Sequence, residues 1–370
     1  MRVAVVLPSW VGDLVMATPA LRALRENLPS ARIVGVARPY LIPLLDGTAW
    51  LDAILPWEHR GWRRFWHGGQ LVRRLRAEPL DLAMLLRATW SAGLAAWLGG
   101  ARRRVGYARR GIGLLLTDPV RPLLAGRLGP GHVRGLELSW DADKIVFAFA
   151  RQPNRLGALP DLRANSDLGG YFGLGVGEVE SLSNLFEVRI DGAGLRQLTH
   201  ADHHADQEPT YLPNGEIVFV SDRSNFGSQC AGALEQDNMV LNLYRCGPNG
   251  ENIRPLSNNK DFDRHPHVMD NGQLLFLHWE YQERHLWQTH SLWSCRPDGT
   301  MTDALFKQHI ETGPMSLREA RQIHGQRKLV AIACGHHNFD TGAVFVVDYA
   351  AGVNESGAMR TLTPGVSATE

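Results

Sequence analysis

Cysteine is scarce in this 370-residue sequence, and long hydrophobic runs are absent. No pair of cysteines forms a CxxC motif, which disfavours a zinc ribbon, a thioredoxin-type redox site and the covalent attachment of a c-type haem. We therefore expect buried thiols in strands at Cys230, Cys246, Cys295 and Cys334. No run approaches the roughly 18 apolar residues of a membrane span, so we predict no transmembrane segment.

A large excess of charge of either sign is also missing. The formal net charge is only +1, so no overall field directs the chain to nucleic acid or to a membrane, and we expect no nucleic-acid partner. Arginine is nevertheless concentrated in residues 60–134. Two interpretations of this concentration remain open: a solvated helix face, or a patch that faces anionic lipid or a phosphorylated acceptor.

The N-terminus lacks the pattern of a signal peptide. Its apolar run over residues 3–7 is shorter than the roughly 7–15 residues of a signal-peptide core, and Pro8 and Asp13 follow it. We therefore expect a cytoplasmic protein without a signal peptide. Peripheral contact at the inner membrane is the alternative location.

The first 130 residues alternate strand and helix patterns. Residues 3–7 are a β-branched apolar run, and a helical spacing of apolar residues follows the loop that contains Pro8 and Gly12. Further strands are predicted over residues 32–37, 53–55, 81–86 and 104–107, with helices between them. This order predicts an α/β, Rossmann-like domain, in which helices cover both faces of a parallel sheet.

Asp13 is the first candidate for chemistry. It lies in the loop after the first strand, at the sheet edge where such folds bind their ligands. A carboxylate there is suited to act as a general base toward a substrate hydroxyl. Aspartate is also common as a cap at the start of a helix. The residues alone leave both roles open.

Four segments of this half carry a resemblance to a known family: LPSWVGDLVMATPALRALRENLP, ARPYLIPLL, LDAILPW and ARRRVGY. They resemble the N-terminal half of the family 9 glycosyltransferases, the heptosyltransferases of lipopolysaccharide core assembly, over residues 1–133. The resemblance implies one half of a GT-B fold that faces the acceptor sugar. It also implies that Asp13 is the general base, that Ser9, Trp10 and Gly12 line the acceptor site, and that ADP-heptose is the donor.

The second half, residues 134–370, is organised by repeats. The segment PTYLPNGEIVF over residues 209–219 matches PHVMDNGQLLF, which begins 57 residues later. Asn-Gly and Asp-Gly pairs mark tight hairpins between short apolar strands. Repeats of this length that contain only strands indicate β-propeller blades. We count about four such units and predict a partial β-propeller.

This half resembles the TolB-like and WD40-like propellers. More narrowly, LHWEY, SLW with RPDGT, and GHH resemble the middle domain of hydrazine synthase alpha-subunit-like proteins. The resemblance implies a non-catalytic binding or scaffold function, with a protein as one expected partner of the propeller. That function is the alternative to glycosyl transfer.

The two halves conflict over the donor site. No second βαβ series and no glycine-rich phosphate loop follows residue 134, so the half that would bind the nucleotide-sugar is expected to be missing. Two explanations remain open: a genuine fusion of an acceptor-binding half with a propeller, or a junction of two incomplete segments near residues 131–135. The second predicts poor packing between the halves and an exposed apolar edge on each.

Histidine is concentrated in the second half. His265 and His267 are two residues apart, so they would share one face of a regular strand and could ligate one metal ion. They flank Pro266 in a segment that aligns with a blade-entry loop. His336 and His337 are further candidates. Solvated or hydrogen-bonded histidine is the alternative for all four, and the sequence predicts no resident cofactor.

Overall fold

A computed structural model describes residues 1–58, 64–108, 111–120, 127–129, 131–151, 183–201, 204–224, 240–280, 290–335 and 342–367. The chain divides into two compact units, Met1–Ala125 and Gly126–Glu370. The boundary expected from the sequence, between residues 133 and 134, falls inside a strand of the second unit.

The first unit is built on a six-stranded sheet in which every paired strand is parallel. Its strands are β1 (Arg2–Val6), β2 (Arg32–Ala37), β3 (Ala53–Pro56), β4 (Leu82–Leu85), β5 (Arg103–Tyr107) and β6 (Asp118–Val120). The helices are α1 (Val11–Asn27), α2 (Arg64–Arg76) and α3 (Trp90–Leu98), with 3-10 helices at Pro39–Leu45 and Ile112–Leu115. The predicted Rossmann-like α/β fold is confirmed. β6 was not predicted, because a three-residue strand containing Pro119 has no periodic signal.

The core lies on both faces of this sheet. Val3 and Val5 of β1 point to one face, where α1 packs, and Ala4 and Val6 point to the other, where α2 and α3 pack. Alternate side chains of a strand point to opposite faces, so a strand covered on both sides must be apolar throughout. The continuous apolar run at the N-terminus is therefore a central strand of the sheet. The helices cover the two faces of the sheet and leave the ends of the strands free to form a ligand site.

In the part of the second unit that the structure describes, the strands form four four-stranded antiparallel sheets, which confirms the predicted propeller. We number these blades 1 to 4 in chain order. Blade 1 comprises β7 (Gly131–Leu138), β8 (Lys144–Arg151), β9 (Ser183–Arg189) and β10 (Arg196–Gln197); blade 2 comprises β11 (Asp206–Tyr211), β12 (Ile217–Ser221), β13 (Asn242–Cys246) and β14 (Arg254–Pro255). Blade 3 comprises β15 (Phe262–Val268), β16 (Leu274–Trp279), β17 (Ser291–Cys295) and β18 (Asp303–Phe306); blade 4 comprises β19 (Ser316–Gln322), β20 (Lys328–Cys334), β21 (Ala343–Asp348) and β22 (Met359–Thr361).

The first strand of each blade is the innermost, because β7 contacts β11, β11 contacts β15, and β15 contacts β19. Separate apolar clusters fill the space between blades 1 and 2, between blades 2 and 3, and between blades 3 and 4. β7 exposes Val133, Leu136 and Leu138.

Two glycines explain why Asn-Gly and Asp-Gly pairs are repeated along the propeller sequence. Gly250 in blade 2 and Gly299 in blade 3 have φ angles of 84° and 85°. A Cβ atom on Gly250 would lie 1.9 Å from the carbonyl oxygen of Leu198 in the preceding blade, and one on Gly299 would lie 2.5 Å from that of Leu256. The Asn-Gly and Asp-Gly turns thus serve both the hairpin and the contact between blades.

Three of the four cysteines are placed by the structure. Cys246, Cys295 and Cys334 are buried at the ends of strands, as expected, and Cys230 lies outside the described residues. Burial raises the pKa of the Cys246 and Cys295 thiols to about 12. In the described parts of the chain, no helix is long and apolar enough to cross a membrane.

Candidate functional site

The carboxyl ends of β1 and β4 form the switch point of the parallel sheet. β1 pairs with β2 on one side and with β4 on the other, so the chain connections leave in opposite directions at this point. In open α/β sheets, ligands bind in the crevice that this divergence creates. The loop that contains Ser9 and Trp10 and the start of α1 lie at this edge.

Asp13 is the third residue of α1, and its side chain is exposed. The N-cap residue is Trp10, whose side chain makes no capping hydrogen bond. Asp13 therefore does not occupy the N-cap position that a capping role would require. Among the residues that the structure describes, none donates a hydrogen bond to its carboxylate or forms an ion pair with it. The carboxylate is thus available to a proton donor from solution.

The loop before Asp13 is fixed by a contact with the next strand connection. The hydroxyl of Tyr40, which follows β2, donates a hydrogen bond to the backbone oxygen of Ser9. The Trp10 side chain is 70% exposed, whereas the Ser9 hydroxyl is buried and has no hydrogen-bond partner in the described parts of the chain. Gly12 belongs to the first turn of α1. The structure thus brings Ser9, Trp10, Gly12 and Asp13 together, and their contact with an acceptor stays a prediction.

Two arginines that no sequence motif indicated as site residues lie at the same edge. Arg38 follows β2, and Arg87 follows β4, with its guanidinium carbon 5.6 Å from the centre of the Trp57 ring. Burial and the positive charge of Arg38 lower the pKa of Arg87. The two guanidinium groups are therefore close enough to repel each other. Their position directly after buried strands was the signal that could have identified them.

This edge presents the Asp13 carboxylate, the guanidinium groups of Arg38 and Arg87, and exposed aromatic rings. Besides Trp10, an exposed ring belongs to Tyr40, which is 53% exposed. Aromatic faces pack against the apolar faces of sugar rings, and guanidinium groups bind phosphate and carboxylate. The arrangement is chemically suited to a hydroxyl-rich ligand that carries negative charge.

A second candidate site lies on the inner strands of the propeller. Each inner strand carries a β-bulge at the same place, where the pairing with the next strand shifts. The bulged residues are Gly135, Glu208, His265 and Glu319, with φ angles of 57°, 51°, 56° and 50°. A positive φ is costly for residues other than glycine. Three of the four blades nevertheless place an ionisable side chain at this position.

Glu208 and His265 are tied together at these bulges. The Glu208 carboxylate accepts hydrogen bonds from the Arg264 guanidinium and from the His265 backbone N–H. Burial alone would raise the pKa of Glu208, but the charges of Arg264 and His265 outweigh it and lower the pKa to about 2. The His265 Nδ1 atom lies 2.8 Å from a Glu319 carboxylate oxygen, and its buried Nε2 has no hydrogen-bond partner among the described residues.

His267 has a different neighbour from His265. Its Nδ1 lies 2.9 Å from the Arg321 guanidinium, which in turn lies 3.2 Å from a Glu137 carboxylate oxygen. Burial and the Arg321 charge lower the pKa of His267 to about 4. The two histidines lie in β15, not in a loop, and the bulge between them interrupts the alternation that a shared face requires.

In the ranges that the structure describes, no group of three or more histidine, cysteine, aspartate or glutamate side chains is arranged to hold a metal ion. His336 and His337 lie outside this part of the chain. A metal site that involves any of the four histidines therefore stays a prediction.

Comparison with known proteins supports the family resemblance of the first half. The chain is 28% identical over 108 residues to lipopolysaccharide heptosyltransferase 2 of Escherichia coli K12, which covers 29% of this chain and 31% of that protein. The N-terminal region is similar to the family 9 heptosyltransferases. The chain thus spans about a third of the length of the curated relative that it matches. No family model matches the chain.

Solved structures match each half separately. The structure of E. coli ADP-heptose lipopolysaccharide heptosyltransferase II is 27% identical, with a TM-score of 0.29, and the match covers 32% of this chain and 34% of that one. Hydrazine synthase of Kuenenia stuttgartiensis is 16% identical, with a TM-score of 0.44, over 63% of this chain and 33% of that one. A putative TolB of Agrobacterium tumefaciens is 15% identical, with a TM-score of 0.34, over 50% and 52%.

Proposed function

We propose that the N-terminal unit is the acceptor side of a heptosyltransferase, with Asp13 as its general base. The observation that carries the proposal is the exposed Asp13 carboxylate at the switch point of a sheet whose sequence is similar to heptosyltransferase 2. The substrate by this proposal is a sugar acceptor of the lipopolysaccharide-core type. Arg38 and Arg87 supply positive charge beside it.

In the proposed reaction, a hydroxyl oxygen of the acceptor attacks the anomeric carbon of ADP-heptose from the face opposite to the nucleotide. The bond from that carbon to the phosphate oxygen breaks, and ADP leaves with the electron pair. Asp13 accepts the proton of the attacking hydroxyl as the new bond forms. Its place in the first turn of α1 suits a group that carries negative charge before it takes the proton.

A transfer assay with the whole chain tests this proposal. Wild-type protein, Asp13→Asn and Glu26→Gln are incubated with ADP-heptose and a lipopolysaccharide-core acceptor, and the glycosylated product is measured. Glu26 is a matched control because it is an exposed carboxylate on the same helix. If the wild-type chain forms product, Asp13→Asn should lower the rate by about a hundredfold or more, since a positioned base contributes about that much. Glu26→Gln should transfer at the wild-type rate.

The donor side is proposed to come from outside the described residues. In the part of the chain that the structure describes, only one parallel sheet is present, and the second unit is antiparallel. This chain would then be incomplete for heptosyl transfer when it acts alone. If the wild-type chain binds the acceptor but forms no product, heptosyl transfer by this chain fails and acceptor binding remains. If it binds neither acceptor nor ADP-heptose, the whole proposal fails.

The second candidate function is a non-catalytic binding or scaffold protein of the hydrazine synthase alpha-subunit-like type. The observation that favours it is the repeated placement of ionisable residues on the strained inner bulges of the propeller, Glu208, His265 and Glu319. Glu319 is the accessible member, with 47% of its side chain exposed. Under this function, Glu319→Gln would weaken capture of a protein partner while Asp13→Asn would not. Unchanged capture by Glu319→Gln would argue against the bulges as a binding site.

A further inference from the structure

Helix α3 buries its small side chains and exposes its large apolar ones. Ala92, Gly93, Ala95 and Ala96 are buried. Trp90, Leu94 and Trp97 are 50%, 43% and 52% exposed. A surface helix usually directs its largest apolar side chains to the core. We call the surface formed by Trp90, Leu94 and Trp97 the α3 face.

Close packing on the other side fixes this orientation. A Cβ atom on Gly93 would lie 3.0 Å from side-chain carbons of Ile112 and Leu115, and one on Gly99 would lie 2.9 Å from the Cβ of Leu75. The inner side of α3 therefore has no room for tryptophan or leucine. Leu114, in the 3-10 helix that packs on α3, is itself 87% exposed and adds to the apolar surface of this region. The exposure is thus a consequence of the packing.

The surroundings of the α3 face are strongly basic. In sequence, residues 82–117 contain six arginines and no aspartate, glutamate or lysine, and the structure describes four of these arginines, Arg87, Arg102, Arg103 and Arg104. The Arg76 side chain, at the end of α2, donates a hydrogen bond to the Leu98 backbone oxygen, one residue from Trp97. Arg73 and Arg74 are exposed in the same turn of α2.

Acidic partners within the chain neutralise this charge only in part. Asp118 lies 2.8 Å from Arg103, and Asp81 lies 3.7 Å from Arg102, whose side chain remains 77% exposed. Arg73, Arg74 and Arg76, at the end of α2, take no part in these two ion pairs.

We propose that the α3 face docks the protein on the surface of a membrane that contains anionic lipid. Tryptophan prefers the boundary between headgroups and acyl chains, and arginine is attracted to anionic headgroups. Nine residues are far too few to span a bilayer, so α3 lies in the plane of the interface. The side chains of the α3 face form an apolar ridge along the helix, and arginines lie beside it. An apolar ridge can insert between lipid headgroups while the arginines bind the anionic ones. This proposal goes beyond glycosyl transfer and does not depend on Asp13.

Vesicle flotation with the whole chain tests the proposal. Vesicles of phosphatidylcholine alone are compared with vesicles that also contain phosphatidylglycerol. We expect the wild-type protein to float with the anionic vesicles at least about tenfold more strongly, and to be released by added salt. The triple variant Trp90→Ser/Leu94→Ser/Trp97→Ser should lose about tenfold or more of this binding, since it removes the apolar contact.

Two further variants separate the causes. Ile190→Ser/Met301→Ser removes two exposed apolar side chains of the second unit and should bind as wild type does. Arg73→Gln/Arg74→Gln should weaken binding to anionic vesicles only. Circular dichroism and the thermal midpoint verify that each variant is folded. If the triple variant is unfolded, flotation of the single variant Trp97→Ser and of Arg73→Gln/Arg74→Gln tests the proposal instead.

Three results would overturn the proposal. The first is a wild-type chain that floats with neither kind of vesicle, which would leave an acidic protein as the partner of the α3 face. The second is a folded triple variant that floats as wild type does. The third is an arginine variant with unchanged binding to anionic vesicles. Asp13→Asn should float as wild type does, so failure of docking and failure of heptosyl transfer are told apart.

Discussion

Their neighbours shift the pKa values of His267 and His278, two histidines of blade 3, in opposite directions. His278 lies on β16 with its Nδ1 2.6 Å from an Asp263 oxygen and its Nε2 3.0 Å from a Glu280 oxygen. Burial alone would lower the pKa of His278, but the bonds to the two carboxylates outweigh it and raise the pKa to about 9. Among the described residues, no carboxylate contacts His267 in this way, and burial and the Arg321 charge lower its pKa to about 4.

These shifts predict how stability depends on pH. A histidine with a raised pKa stabilises the folded state fully below its unfolded pKa of about 6.5, and this contribution is lost as the pH rises toward 9. We expect the free energy of unfolding of the propeller to fall over that range, by at most about 1.4 kcal/mol per pH unit. His278→Gln should remove this fall, as measured by denaturant titration between pH 6 and about pH 9.5.

His267→Gln is the matched control. Its lowered pKa means that protonation opposes folding, so it contributes a loss of stability as the pH falls from about 6.5 toward 4. The variant should lessen that acid loss and leave the alkaline side unchanged. A wild-type curve and a His278→Gln curve with equal slopes above pH 7 would contradict the assignment to His278.

At the scale of elements, each inner strand of the propeller has a β-bulge at the same position, and the residue type at that bulge differs between blades. Glu208, His265 and Glu319 carry side chains at a positive φ, and blade 1 carries Gly135. A Cβ atom on Gly135 would lie 2.9 Å from the Cα atom of Glu208. Glycine is needed there because the neighbouring blade approaches its backbone, as well as for its φ angle of 57°.

This difference predicts the effect of alanine at two glycines. Gly272 also has a positive φ, of 81°, but a Cβ atom there would meet nothing within 4 Å. We expect Gly272→Ala to lower the free energy of unfolding by about 1 kcal/mol, from the backbone alone. Gly135→Ala should lower it by about 2–3 kcal/mol, because the steric clash is added. Equal losses in calorimetry would show that blade 2 moves aside at no cost.

At the scale of the whole molecule, the chain contains two compact units with separate cores. Residues of the first unit form two clusters on the faces of the parallel sheet, and three clusters fill the spaces between blades. Separate cores allow separate unfolding transitions, which would distinguish a chain of two independent units from one cooperative fold.

Scanning calorimetry tests this independence with one core substitution in each unit. Val5 and Phe219 are fully buried, in the parallel sheet and in blade 2. We expect Val5→Ala and Phe219→Leu each to destabilise one unit by roughly 1–3 kcal/mol and to shift only the transition of that unit. A single transition that both substitutions lower would mean that the chain unfolds as one unit.

Much of the fold was predictable because its signals are local. The apolar run before Pro8 specified a central strand, and the Asn-Gly and Asp-Gly turns specified hairpins at a repeated spacing. The loop with Gly12 and Asp13 could be placed because a loop that leads from a strand to a helix lies at the carboxyl end of that strand. A helix was expected between β2 and β3, and the 3-10 helix Pro39–Leu45 lies there.

The rest of the candidate sites depends on contacts between distant residues. Arg38 and Arg87 are 49 positions apart in sequence, and their charges interact only because β2 and β4 flank β1. His265 and Glu319 likewise meet because their strands are neighbours at the centre of the propeller. The periodicity of a single segment does not predict a contact between residues on two distant segments.

By itself, the sequence determined an α/β half with a carboxylate after its first strand and an all-β half of about four blades, because alternation, turns and repeats are encoded within short segments. Only the tertiary structure decided which side of α3 is buried. The helix is apolar on nearly every side, so its pattern does not choose a face. The close approach of Ile112 and Leu115 to Gly93 admits only small side chains there. Trp90, Leu94 and Trp97 face outward for that reason.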